Sequence, residues 1–146
     1  MLRTLLSATL LLVTATALTT TADAQVVKIR GTGCLNAAYP STTGSPTIGQ
    51  GFGVIVAPLR TRTSKPFLLF GVGGANLTLP TPPACTRGCK LECRPLVVLF
   101  QTAARFQIPN DRSLIGAKFC AQSGAIRAVR PNGCIHLHGA LSVTIQ

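Results

Sequence analysis

Acidic side chains are scarce in this chain: three aspartates and glutamates stand against fourteen lysines and arginines, a formal net charge of +11. Beyond residue 24 only Glu92 and Asp111 remain. Glycosidase chemistry ordinarily needs two carboxylates flanking the scissile bond, and Glu92 lies inside a cysteine cluster, so the composition argues against it. Tryptophan is absent and Tyr39 is the single tyrosine; a stacking platform for sugars or bases would fall to phenylalanine. No C-x-x-C occurs, which removes support for a thioredoxin-like redox centre. No G-x-S-x-G elbow occurs either, so a triad of His136, Asp111 and a serine is only a formal combination. The glycines of "GVGGAN" at 71–76 are wrongly spaced for a dinucleotide fingerprint, and the proline-rich segment after them cannot open a helix. Past the first residues there is no apolar run long enough to span a membrane, no heptad, no internal repeat and no sign of a second domain.

The beginning is different in kind. The chain opens MLRTLLSATLLLVTATALTTTADAQ: one basic residue, Arg3, an apolar run from Leu5 to about Leu18, then a threonine stretch ending in Ala22-Asp23-Ala24. That order is the pattern of a secretory signal peptide over residues 1–24, with an A-x-A cleavage point. It predicts a helix over Leu5–Ala17. The run is too short and too threonine-rich for a spanning anchor. Cleavage after Ala24 would leave 146 − 24 = 122 residues, Gln25 to Gln146, enough for one domain with a real core. The expected location is secreted, extracellular or periplasmic.

All six cysteines, Cys34, Cys85, Cys89, Cys93, Cys120 and Cys134, follow the cleavage point. An even number in an exported chain reads as a disulfide framework. The C-x3-C-x3-C spacing of "CTRGCKLEC" lacks the paired C-x2-C of common zinc sites, so neither a metal nor another cofactor is expected. Six cysteines allow 15 pairings. Strand alternation bears on one of them. In "CIHLHGALSVTIQ", Ile135, Leu137, Leu141, Val143 and Ile145 share one face, with Cys134, His136 and His138 on the other. In "GAKFCAQ", Cys120 lies opposite Phe119. Cys120 and Cys134 thus both fall on the more polar face, where they are able to meet.

Short apolar and period-two runs recur between turn signals. Strands are predicted over Val26–Arg30, Gly51–Ala57, Pro66–Gly71, Asn76–Leu79, Leu96–Gln101, Ala104–Ile108, Leu114–Gln122, Ala125–Arg130 and Cys134–Ile145. The intervening Pro, Gly and Asn clusters, such as "AAYPSTTGSPTIGQG", "APLRTRTSKP" and "RPNG", read as turns and loops. The fold class is all-β, an antiparallel β-sandwich stapled by disulfides.

Basic residues gather at Arg60, Arg62 and Lys65, at Arg87, Lys90 and Arg94, and at Arg127 and Arg130. Such a surface attracts polyanions: acidic polysaccharide, lipopolysaccharide or extracellular nucleic acid. The loop "RTRTSK", presenting Arg60, Arg62 and Lys65 together, is the expected contact. His136 and His138 read as two solvent-facing residues of one strand; an H-x-H metal pair would lack a third ligand. "NLT" at 76–78 matches a glycosylation sequon.

"GTGC" at 31–34, "IPNDRSLIGAKFCAQ" at 108–122 and "GALSVTI" at 139–145 together resemble a family of small exported β modules common in planctomycetes and allied bacteria. Members open near G-T-G-C and carry a mid-chain Gly-Cys, here Gly88-Cys89. They continue with I-P-N-x-x-S-L-I-G, an aromatic before x-x-Gln, and a closing strand like N-A-L-x-V-T-I-G. The resemblance covers nearly all of the mature chain. Departures are Gly139 in place of Asn, the basic charge and the extra cysteines. It implies a β-sandwich-like module, often found at the ends of larger secreted proteins, without a catalytic motif. It also implies the pairing Cys34–Cys89; with Cys120–Cys134, that leaves Cys85–Cys93 as a local loop.

These readings lead to a non-catalytic extracellular or periplasmic module that binds or assembles, with an anionic polymer as its candidate ligand. No specific nucleic-acid recognition and no membrane span after cleavage are expected, and sheet edges offer a route to self-association. The rival readings are a small secreted hydrolase using His136 or His138, and a cationic protein active on cell envelopes. Mass analysis of exported protein should find Gln25, or its pyroglutamate form, at the start. Retention of Met1 there would refute the leader.

Overall fold

The computed structural model describes residues 25–34, 37–57, 64–128 and 133–146. The predicted leader helix Leu5–Ala17 lies outside the described residues, as do Arg60, Arg62 and Arg130. Ten strands are described: β1 (Gln25–Ile29), β2 (Ser41–Gly44), β3 (Gly51–Ile55), β4 (Ser64–Val72), β5 (Leu77–Thr78), β6 (Lys90–Leu91), β7 (Arg94–Leu99), β8 (Ala103–Gln107), β9 (Lys118–Arg127) and β10 (Cys134–Thr144). One 3-10 turn, Arg112–Leu114, is the single helical element among them. The protein is all-β, and every strand pair is antiparallel.

A five-stranded sheet runs β1-β10-β9-β4-β7, and a three-stranded sheet runs β2-β3-β8. Side chains alternate across each strand, and the registers show which residues meet. Leu68 stands opposite Ser123 and Phe70 opposite Ala121; this inner face of the large sheet meets the small one. Phe52, Val54 and Ala104 from the small sheet share one core with Leu68, Ala121, Leu141 and Val143 from the large one. Burying a side chain such as Phe52 or Leu68 fully stabilises the fold by about 1.5–3 kcal/mol.

The other face of the large sheet is also covered. Phe67, Leu69 and Leu137 pack against Cys34, Ala84 and Cys89. Residues 77–93, which include the β5–β6 ribbon, therefore form a third layer, held by three disulfides: Cys34–Cys89, Cys85–Cys134 and Cys93–Cys120. Disulfides persist in oxidising compartments, and no helix of the described residues is long and apolar enough to cross a membrane.

Cys34 pairs with Cys89, the bridge that the resemblance implies; Gly33 and Lys90 exchange backbone hydrogen bonds beside it. The pairs Cys120–Cys134 and Cys85–Cys93 do not form. The β9–β10 register explains the first: Cys134 stands opposite Arg127 and Cys120 opposite Ser142, at opposite ends of the ladder. Cys134 instead meets Cys85, because Ile135 accepts from Cys85 N and donates to Pro83 O, both at 2.8 Å. Cys120 faces Gly71 on β4; with no side chain there, Cys93 reaches it from beyond.

Three sequence expectations about strands are corrected. Leu114–Gln122 and Ala125–Arg130 are not two strands: Lys118–Arg127 is one. Gly124 makes no turn; it lies under the Phe67 ring, which a Cβ would strike. Ser41–Gly44, expected as loop, is an edge strand paired with β3, and its polar composition hid it. The closing strand does not keep one apolar face. A bulge between Leu137 and Ala140 shifts the register, so Leu137 faces the disulfide layer while Leu141 and Val143 face the small sheet.

Peptide mapping without reduction should recover the three pairs named above. Replacing both Cys34 and Cys89 with Ala, which opens a 55-residue separation, should cost about 4 kcal/mol in a chemical denaturation series.

Candidate functional site

The polar centre of the fold is the bulge. His138 and Gly139 are the residues displaced there, and the ladder releases their backbone groups. Each finds another partner. His138 O accepts from Gln122 Nε2 at 2.9 Å, Gly139 N donates to Ala38 O at 2.9 Å, and Ala140 N donates to Thr32 Oγ1 at 2.8 Å. Gln122 is wholly buried. Its amide also donates to Lys90 O and accepts from Glu92 N, each at 3.0 Å, so one side chain ties the sheet to the disulfide layer.

The motifs behind the family resemblance acquire reasons here. In "GTGC", Gly31 and Gly33 have φ of 72° and 77°, a region that favours glycine. A Cβ on Gly33 would come within 2.5 Å of the His138 carbonyl. Thr32 Oγ1 donates to Ile29 O as well as accepting from Ala140 N. Gly139, where the family tends to have Asn, lies against the Tyr39 ring with no room for a Cβ. In "IPNDRSLIG", Asp111 caps the 3-10 turn by accepting from Ser113 N at 2.9 Å, and that bond holds its carboxyl below the usual range.

His138 is buried, 4% exposed, not solvent-facing as its alternation suggested. Burial, with the His136 imidazole beside it, pushes its pKa down to about 4. The two rings are T-shaped with centroids 5.7 Å apart, and His136 is half-buried. His138 Nδ1 lies 2.8 Å from Ser123 Oγ. Ala57 N donates to that same oxygen at 3.5 Å. A nucleophile and its base are spaced this way, but Ser123 is fully buried between the sheets, and nucleophilic attack needs substrate access. Neither Glu92 nor Asp111 orients the imidazole, since Glu92 Oε1 accepts from Gly74 N at 2.8 Å and Asp111 from Ser113. Among the described residues no three His, Cys, Asp or Glu stand close enough to hold a metal.

Of the expected polyanion contact, only Lys65 falls among the described residues, and it stands on β4 rather than in a loop. Ser64–Pro66 pair with Arg127–Ala125, which extends the strand past the expected boundary. Lys65 is exposed, as are Arg87, Arg94 and Arg127.

The sequence reading missed Arg105. Thr43, Gly53 and Arg105 stand in register across β2, β3 and β8, on the side turned away from the core. A Cβ on Gly53 would come 2.5 Å from Thr43 Oγ1 and 3.1 Å from Arg105 Cγ. Those two side chains close over Gly53, which is buried, and a shallow trough of about 480 Å³ lined by Thr43, Gly51, Arg105 and Gln107 lies there. Alternation in "ARFQ" places Arg105 and Gln107 on one face; the signal lacked only the register with Gly51 and Gly53.

No family model, curated protein or solved structure matches the chain.

The buried imidazole has a pH signature. Above its ordinary 6.5 the ring is neutral folded or unfolded, and it contributes no pH dependence. As pH falls from 6.5 towards 4, the unfolded chain takes up a proton that the folded state refuses, so stability is lost. The full loss is on the order of 3 kcal/mol, complete below pH 4, where both states are protonated. Denaturation midpoints measured across this window should fall in the native protein and stay flatter in His138→Gln.

Proposed function

We infer that this is a non-catalytic, exported binding module of sandwich-like build, belonging with the small β modules its motifs resemble, whose ligands are anionic polymers such as acidic polysaccharide. One observation carries the reading: the side chains of Glu92 and Asp111 accept from backbone N–H groups, and among the described residues neither pairs with a cation. The surface lysines and arginines therefore keep their field. Arg105, exposed on the outer face of β8 and lining the trough with Thr43 and Gln107, adds a guanidinium contact suited to a carboxylate or sulfate ester. Within "RTRTSK", Lys65 presents a second exposed cation. Contacts of this type are electrostatic, so affinity should fall steeply with salt as condensed counterions are released.

The test is retention of the oxidised, exported protein on heparin and on acidic polysaccharide. Binding is expected at ~20 mM salt, where screening is weak. Arg105→Gln should weaken it and reduce the salt slope by about one contact. Replacing Arg60, Arg62 and Lys65 together with Ser should lower affinity further without unfolding the domain, because exposed charges contribute little to stability. Absence of retention at low salt would remove the reading altogether.

A further inference from the structure

The two sheets have four edges, β1 and β7 on the large sheet, β2 and β8 on the small one. Exposed edges invite pairing, and proteins blunt them with charge, proline, bulges or shortness. Three of these edges are blunted along their length: β1 carries an exposed Lys28, β8 carries Arg105 at its centre, and β2 is four polar or glycine residues long. Among the described residues, β7 is protected only where it begins, by Pro95 and by a bulge at Leu96. From there it reads Leu-Val-Val-Leu-Phe without a charge. Leu96 is 76% exposed, Val97 48%, Val98 44% and the following Phe100 70%. Beside it an apolar groove of about 470 Å³ opens between the sheets, lined by Phe70, Leu96, Leu99, Phe106, Phe119 and Ile145.

We propose that β7 is a self-association edge, pairing antiparallel with β7 of a second copy about a two-fold axis perpendicular to the sheet. Such an axis keeps inner face with inner face, so the pairing centres on a residue, Val97 or Val98. Either register sets residues 96–99 against apolar residues of the copy. The sole charge of the strand, Arg94, then goes to opposite ends. The two guanidinium-bearing positions are separated along the strand by about 20 Å or more at ~3.3 Å per residue, well past the ~8 Å screening length of physiological salt. No like charges face one another across the new ladder, although the molecule as a whole is strongly cationic. An isologous contact of this type closes on itself and gives a dimer rather than a fibre. It also brings the second copy alongside the groove, which opens between β7 and β8.

The salt dependence separates this contact from polyanion binding. Two cationic copies meeting through apolar strands associate more tightly as salt rises, whereas a polyanion is released. The experiment is sedimentation of the oxidised, exported protein over a concentration series, at low and at physiological ionic strength. A monomer–dimer equilibrium that tightens with salt is expected, together with slower amide exchange at Val97–Phe100 as concentration rises. Val98→Lys places like charges at the contact and should weaken the dimer by roughly tenfold or more, with unchanged disulfides and circular dichroism. Should that variant misfold, Leu96→Lys, at a more exposed position, serves instead. A protein that stays monomeric under every condition overturns the proposal, and so does a dimer that withstands the lysine substitutions. Neither result bears on heparin retention.

Discussion

The bulge at His138-Gly139 is the constraint on which the rest of the architecture depends. A strand that keeps strict alternation serves one core on each face from end to end. Here the extra residue turns β10 over midway, so its first half feeds the disulfide layer and its second half feeds the space between the sheets. The backbone groups freed by that turn must be paired, since an unpaired buried amide or carbonyl costs ~1–3 kcal/mol. Thr32, Ala38 and Gln122 meet that requirement. Those three partners come from distant parts of the chain, which fixes the opening segment and β9 relative to the closing strand.

This explains which parts of the fold were legible in the sequence. Apolar runs such as Gly51–Ala57 and Pro66–Gly71 announced β3 and β4 because burial demands them. The bulge left no trace, because Ile135, Leu137, Leu141 and Val143 all fall at odd-numbered positions while serving different cores. Cysteine pairing was hidden for the same reason: strict alternation puts Cys120 and Cys134 on one face, but the bulge sets them on opposite faces and at opposite ends of the ladder. Ser123-Gly124 looked like a break because glycine and serine punctuate loops; here the glycine makes room for Phe67 instead.

The site was legible in part. Charge imbalance is a property of composition and needed no coordinates. What composition cannot reveal is how the few carboxylates are used: Asp111 caps its own turn and Glu92 accepts from Gly74 N eighteen residues away. Arg105 escaped notice because a lone arginine within a strand has no significance until its cross-strand neighbours are known. The histidines conveyed the opposite lesson. Their H-x-H spacing suggests exposure by alternation, but the face they share turns toward the small sheet, and His138 is buried there beside Ser123.

The wiring of the cysteines has a topological consequence. Each cysteine of the crowded 85–93 segment bonds outside it, and the bridges Cys34–Cys89 and Cys85–Cys134 overlap along the chain. Any one peptide bond between Cys34 and Cys134 is therefore spanned by at least one bridge. A protease that nicks a surface loop there does not divide the molecule: the pieces stay covalently joined and come apart only when a reductant is added. For a domain exposed to proteases, a single cut becomes a local defect instead of the loss of the protein.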